Sequence, residues 1–129
     1  MTVLKAAACI LAAMLFTAPG TAGADTATPV PKPSIGSIQR LTAFPSVHVP
    51  PRDVDVWLPP GYSDKKKYAV LYMQDGQMLF DAGITWNKQE WRADETAARL
   101  MAEGKVRPFI IVGIHNGGPR RHVEYFPQK

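Results

Sequence analysis

The sequence predicts an α/β fold, and three observations carry that prediction. Two apolar runs rich in β-formers, residues 68–73 and Phe109–Ile114, show no polar alternation, as strands buried on both faces do. Between them, Ala93, Ala97, Leu100 and Met101 recur at helical spacing. Each run ends in a polar, glycine-containing loop: Gln74-Asp75-Gly76-Gln77 after the first, His115-Asn116-Gly117-Gly118 after the second. Strand, helix and strand in that order form a βαβ unit with parallel strands, and ligands of such sheets meet the loops at the strands' carboxyl ends.

The amino-terminal residues do not belong to this fold. Lys5 precedes an apolar run over 6–16, followed by the small residues Ala18, Gly20, Ala22, Gly23 and Ala24. A basic start, an apolar centre too short to span a bilayer and a small-x-small site make a secretory signal peptide. Residues 1–24 are therefore expected to be removed after Ala24, leaving a secreted or periplasmic chain that starts at Asp25 and has no membrane attachment. Cys9, the single cysteine, leaves with the leader, so the exported chain has no thiol, disulfide or cysteine metal ligand. The net charge of +4 is scattered apart from Lys65-Lys66-Lys67 and Arg120-Arg121. No basic stripe with interleaved aromatics is present, so nucleic acid is not an expected partner.

The elements follow in order. Residues 25–37, with Pro29, Pro31 and Pro33, bury little and read as an extended linker, and the domain occupies 38–129. Ser37–Phe44 alternates weakly, as an edge strand does. Pro45, Pro50 and Pro51 make the next connection irregular. Arg52–Leu58 then sets Val54, Val56 and Leu58 against Asp53, Asp55 and Trp57, which predicts a strand with one wet face. Pro59-Pro60-Gly61-Tyr62 is a turn, and 63–67 is a charged, solvated lead into the central strand at 68–73. Asn87 with Glu90 has capping-box spacing, which predicts a helix over 88–103 stopped by Gly104. Asp94 and Glu95 sit early in that helix, where the macrodipole favours acids.

Three groups of residues are candidates for chemistry. Gly76 permits backbone conformations closed to other residues, so the amides of Gly76, Gln77 and Met78 can converge on an anion or oxyanion; the alternative is a plain turn leaving a strand. Trp86 and Trp91 either line a cleft suited to aromatic acyl or sugar groups or clamp the long loop onto the helix. Asn116-Gly117-Gly118 with Arg120-Arg121 either holds an anionic substrate group or is a surface loop. His115, His122 and Glu124 match no ligand spacing, so no metal and no cofactor is expected.

Four stretches together resemble the putative-esterase branch of the α/β-hydrolase superfamily, the group with feruloyl esterases, siderophore esterases and S-formylglutathione hydrolase. They are Asp55-Val56-Trp57-Leu58-Pro59-Pro60-Gly61-Tyr62, residues 71–81 (LYMQDGQMLFD), Trp91 with Asp94-Glu95, and residues 112–118 (VGIHNGG) running on to Glu124-Tyr125-Phe126-Pro127. The likeness covers roughly 37–129. It implies an α/β-hydrolase fold present as its first strands, first helix and following strand. It also implies a serine acyl-enzyme acting on a small-molecule carboxylic ester, with an oxyanion-hole amide at Gln77 or Met78. The G-x-S-x-G frame of the nucleophile is absent: Gly61-Tyr62-Ser63 begins it, but Lys65 stands at the second glycine position. His115 and His122 come too early for the order Ser, acid, His. The chain is accordingly expected to be the amino-terminal part of such an enzyme, inactive alone, with elbow and triad beyond Lys129. The second reading is a non-catalytic exported module that binds carbohydrate or another ligand through Trp86, Trp91 and the glycine turn.

Overall fold

The structure, a computed structural model, describes residues 28–126. The expected signal peptide and its cleavage site lie outside the described residues. Four strands form one mixed sheet in the order β1-β2-β4-β3: β1 (Ser37–Phe44), β2 (Arg52–Leu58), β3 (Ala69–Met73) and β4 (Phe109–Ile114). β1 and β2 pair antiparallel, β2 and β4 antiparallel, and β3 and β4 parallel, as the βαβ reading requires. The helix of that unit is α1 (Ala93–Ala102), and a short α2 (Arg121–Tyr125) follows β4 through a 3-10 turn at Gly118–Arg120. This is a small α/β domain, compatible with an incomplete α/β-hydrolase sheet.

β2 does not have the wet face that its alternation suggests. Asp55 and Trp57, on the supposed outer face, are fully buried. Trp57 joins Leu79, Phe80, Ala97 and Ile111 in the core, and its indole N–H donates to the Ile35 carbonyl at 2.7 Å. Asp55 is buried because partners surround it. Arg40 on β1 donates to both carboxylate oxygens, at 2.7 and 2.8 Å, and His115 beyond β4 approaches through Nε2 at 2.7 Å. Described residues ahead of β1 touch the domain at several points. Arg40 reaches the carbonyls of Thr28 and Pro29, Lys32 N–H donates to Asp81, and Ile35 N–H donates to Asp94.

Among the described residues β3 has a strand neighbour on one side only. It forms the outer edge of the sheet, with Val70, Leu71 and Tyr72 exposed, the last by 68%. β4 takes the inner place between β2 and β3, so it is β4 whose Ile111 is buried.

α1 starts five residues later than the predicted 88. The capping box does not form: Asn87 Oδ1 accepts from the Gln89 N–H at 3.2 Å, a local Asx turn, and Arg92 occupies the cap position with φ 54°. The carbonyls of Met78 and Leu79 instead accept from the N–H groups of Trp91 and Ala93, at 2.9 and 3.1 Å. Residues 88–92 are thereby tied to the turn after β3, and the helix begins only where that tie ends. At the other end the stop is as predicted. Gly104 takes φ +66°, Lys105 N–H donates to Leu100 O and Gly104 N–H to Met101 O, both at 3.0 Å, which is a Schellman motif.

Candidate active site at the carboxyl ends of β3 and β4

The turn leaving β3 is built differently from the sequence expectation. The left-handed residue is Asp75, at φ 54°, and Gly76 has ordinary φ. Glycine is required at 76 for another reason: a Cβ there would lie 2.5 Å from the carbonyl carbon and oxygen of Gly113 on β4. The two glycines let the turn lie directly on the end of β4. Gly76–Met78 then forms one 3-10 turn, in which Met78 N–H donates to Asp75 O at 2.8 Å. Of the two amides named for an oxyanion, Met78 is thus already committed to an internal bond. Among the described residues no backbone carbonyl accepts from the Gln77 N–H.

Asp75 is the hub that holds this turn to the loop after β4. Its Oδ1 accepts from Asn116 Nδ2 at 2.6 Å and from Arg121 Nε at 2.8 Å, and its Oδ2 accepts from an Arg121 terminal nitrogen at 2.7 Å. Tyr125 donates its hydroxyl toward Asp75 Oδ1 and Gln74 Oε1, both at 3.3 Å, and the Arg121 guanidinium lies over its ring. Asn116 N–H donates to Gln77 Oε1 at 3.2 Å, which fixes the Gln77 side chain. The Arg121 hydrogen bonds hold the Asp75 carboxyl below the usual carboxylate range, against the opposing pull of burial, with Asn116 assisting. Burial, reinforced by the charge of Asp75, pushes the Tyr125 hydroxyl up. An ionised Asp75 beside the turn opposes any second negative charge, and the Arg121 pair offsets that.

These elements surround an open hollow of about 540 Å³ lined by Asp75, Gln77, Met78, Trp86, Trp91, Asn116, Gly118, Arg121 and His122. Gln77, Met78, Trp86, Trp91 and Asn116, chosen from the sequence for three separate reasons, thus meet at one place. Gly76 is buried beneath them, against Gly113. Trp86 and Trp91 are 86% and 53% exposed, so their rings face the hollow and solvent. The hollow can therefore offer a donor turn, a cation and two aromatic faces to one ligand.

His115, His122 and Glu124 do not converge. His115 is paired with Asp55, His122 packs on Phe126 at 5.6 Å between ring centres, and Glu124 makes a two-bond ion pair with Arg52, each bond 3.0 Å. No three acid, histidine or cysteine side chains among the described residues are placed to hold a metal ion. Ser46 and Ser63 accept backbone N–H groups through their hydroxyls, Ser46 from His48 and Val49, and among the described residues no serine hydroxyl is hydrogen-bonded to a histidine ring.

Two clusters escaped the sequence reading. One is the buried Arg40–Asp55–His115 group. Its only sequence signal was an acid on the same strand face as a tryptophan. The other lies at the start of α1, where Asp94 is fully buried with Oδ1 unpartnered, beside unpartnered oxygens of Glu90 and Glu95. Burial first, and then the neighbouring Glu95 carboxyl, push Asp94 up, while Glu95 ends below its ordinary range. The macrodipole reading of Asp94 and Glu95 missed this, because spacing along a helix does not show which acid faces inward.

A family comparison bears on what this arrangement is for. Residues 50–129, well over half of the chain and including every residue around the hollow, match the family model Esterase, described as "Putative esterase". The chain belongs to that esterase family.

Proposed function

We propose that the chain is part of an exported carboxylic-ester hydrolase, in which the turn Asp75–Met78 supplies the oxyanion-binding amide and a serine outside residues 1–129 supplies the nucleophile. The observation that carries the reading is the Gln77 N–H: it sits in the first turn of a short 3-10 segment, has no backbone acceptor among the described residues, and borders the hollow with two exposed tryptophans. A donor placed in advance where a tetrahedral oxyanion develops is worth about 3–4 kcal/mol in acyl transfer. Gln77 is the stronger of the two candidate amides, since Met78 N–H is already bonded to Asp75 O.

Each neighbour has a role in this reading. Gly76 and Gly113 set the height of the turn above β4. Asp75, through Asn116 and Arg121, locks it laterally. Trp86 and Trp91 receive the acyl or alcohol part of the ester. No group in the described residues serves as nucleophile or general base, so the acyl-enzyme step belongs to a serine and histidine elsewhere, and residues 1–129 alone are inactive.

Labelling the native exported protein with a fluorophosphonate, followed by intact-mass and peptide analysis, tests this. The expected result is one labelled serine in a peptide absent from residues 1–129, together with hydrolysis of a chromogenic ester. Absence of both labelling and hydrolysis favours the alternative of a non-catalytic binding module, which the exposed Trp86 and Trp91 would equally suit.

A further inference from the structure

The opposite pole of the sheet carries a second surface that the hydrolytic reading does not use. β3 and β4 are parallel with Ala69 beside Phe109, so the residues two positions earlier, Lys67 and Arg107, emerge from the same end of the sheet. Lys65 and Lys66 join them, and all four are exposed. None of the four has an ion-pair partner among the described residues, whereas Arg40, Arg52, Arg92, Arg99, Lys105 and Arg121 are all paired. The only acid in this lead is Asp64. Lys32, Lys88 and Arg120 also have no ion pair among the described residues, but four of these seven cations gather at the amino ends of β3 and β4.

The charge is also set in a concave place. Lys66, Lys67 and Arg107 line a hollow of about 770 Å³ with Pro60, Gly61, Tyr68, Ala69 and Pro108. Its rigid walls are the two prolines and the Tyr68 ring, which stacks on Tyr62 with ring centres 5.1 Å apart. Tyr62 is itself 42% exposed beside it. Cations around a recess with an aromatic wall suit a ring-shaped anionic unit: the charges meet carboxylates and the tyrosines pack against the sugar face. A lipid surface would instead call for a flat basic face with apolar side chains to insert. Duplex nucleic acid would call for a longer basic stripe than one recess provides.

We propose that this pole is a docking site for an anionic, carboxylate-bearing polysaccharide, separate from the hollow at the carboxyl ends and independent of whether that hollow hydrolyses esters. From Lys67 to the end of β3 is about 20 Å at ~3.3 Å per residue, so one polymer chain is long enough to touch both poles.

The test uses the full chain, immobilised, with polygalacturonate as the probe and dextran as the neutral control. The expected result is retention of polygalacturonate but not dextran, weakening as salt rises. Lys66→Gln/Lys67→Gln is expected to weaken binding at least ten-fold and flatten its salt dependence, as is Arg107→Gln to a smaller degree. Arg92→Gln/Arg99→Gln, which removes the same charge from the cap and the body of α1, is expected to stay within two-fold of wild type. Because all these residues are exposed, the fold is retained, and unchanged circular dichroism confirms it. Equal losses in the two double variants, no preference over dextran, or tighter retention of duplex DNA or of phosphatidylglycerol vesicles than of polygalacturonate would each overturn the proposal.

Discussion

Gly76→Ala is the substitution that most directly probes how the site is built. A Cβ at 76 would stand 2.5 Å from both C and O of Gly113 and 2.9 Å from the Ile114 carbonyl carbon. Comfortable contact between heavy atoms is about 3.5–4.0 Å, so the overlap is roughly 1 Å. Gly113 cannot yield, because β4 is hydrogen-bonded to β2 on one side and β3 on the other. The turn must move instead, and it is anchored by Asp75. Overpacking costs about 1–3 kcal/mol, and a clash with the backbone of a paired strand belongs at the upper end, about 3 kcal/mol. Two comparisons separate this cost from glycine's other effects. Gly113→Ala meets the Leu79 Cδ1 at 2.9 Å and Gly76 Cα at 3.2 Å, and since a side-chain methyl can shift, about 1–2 kcal/mol is expected. Gly61→Ala, at φ +70° with nothing within 4 Å, should lose only about 1 kcal/mol through backbone strain. Urea unfolding followed by tryptophan fluorescence at low protein concentration measures all three. With m near ~1 kcal/mol/M for a small domain, the midpoint of Gly76→Ala should fall by about 3 M, or the variant should be unfolded in buffer. A cost within about 0.5 kcal/mol of wild type, or below that of Gly61→Ala, would refute the packing argument.

Three further outcomes follow from the packing. Asp55→Asn removes the counter-charge of Arg40 and one hydrogen-bond partner of His115, and should cost about 3–5 kcal/mol by denaturant melts. Burial pushes Asp55 up, but the His115 and Arg40 hydrogen bonds outweigh it, so its contribution is present above the ordinary pKa of 3.8 and is lost as pH falls through the lowered value; the variant should lose that acid-dependent step. Asp94 is the opposite case: burial raises it, so its contribution holds below 3.8 and is lost as pH rises through the raised value. Asp94→Asn, which can donate to Glu95 and still accept from Ile35, should flatten that decline and gain about 1 kcal/mol at pH 7, read from stability against pH. A variant as pH-sensitive as wild type above pH 4 would contradict it. On β3, Tyr72→Lys places a charge on an exposed, unpaired strand edge and should raise the monomer fraction in sedimentation velocity, whereas an unchanged distribution would mean the edge is not what limits solubility.

The strands and the gathering of the site were legible for a physical reason. The limits of β1, β2 and β4 follow from prolines, turn residues and apolar runs that act locally, and they agree with the structure. That Gln77, Met78, Trp86, Trp91 and Asn116 meet also follows from a general rule, since loops at the carboxyl ends of parallel neighbours must lie together. What escaped the sequence was decided at long range. The start of α1 depends on the carbonyls of Met78 and Leu79, which replace the expected cap. The burial of Asp55 depends on Arg40, fifteen residues before it, and His115, sixty after it. Gly76 shows a subtler limit: glycine there was expected for a conformation, and the structure uses it for closeness, leaving the left-handed position to Asp75.

The central claim is that the Gln77 N–H binds a reaction oxyanion. Proline at 77 removes that N–H, and position 77, in the first turn of a 3-10 segment, requires no such donor for structure. Alanine at 77 removes the same side chain and its bond from Asn116 while keeping the N–H. In the native protein, kcat for a chromogenic ester should fall about 100- to 1,000-fold for Gln77→Pro and less than about ten-fold for Gln77→Ala, with KM little changed. Equal rates for the two variants, with both folded, would contradict the assignment of the oxyanion site to this turn.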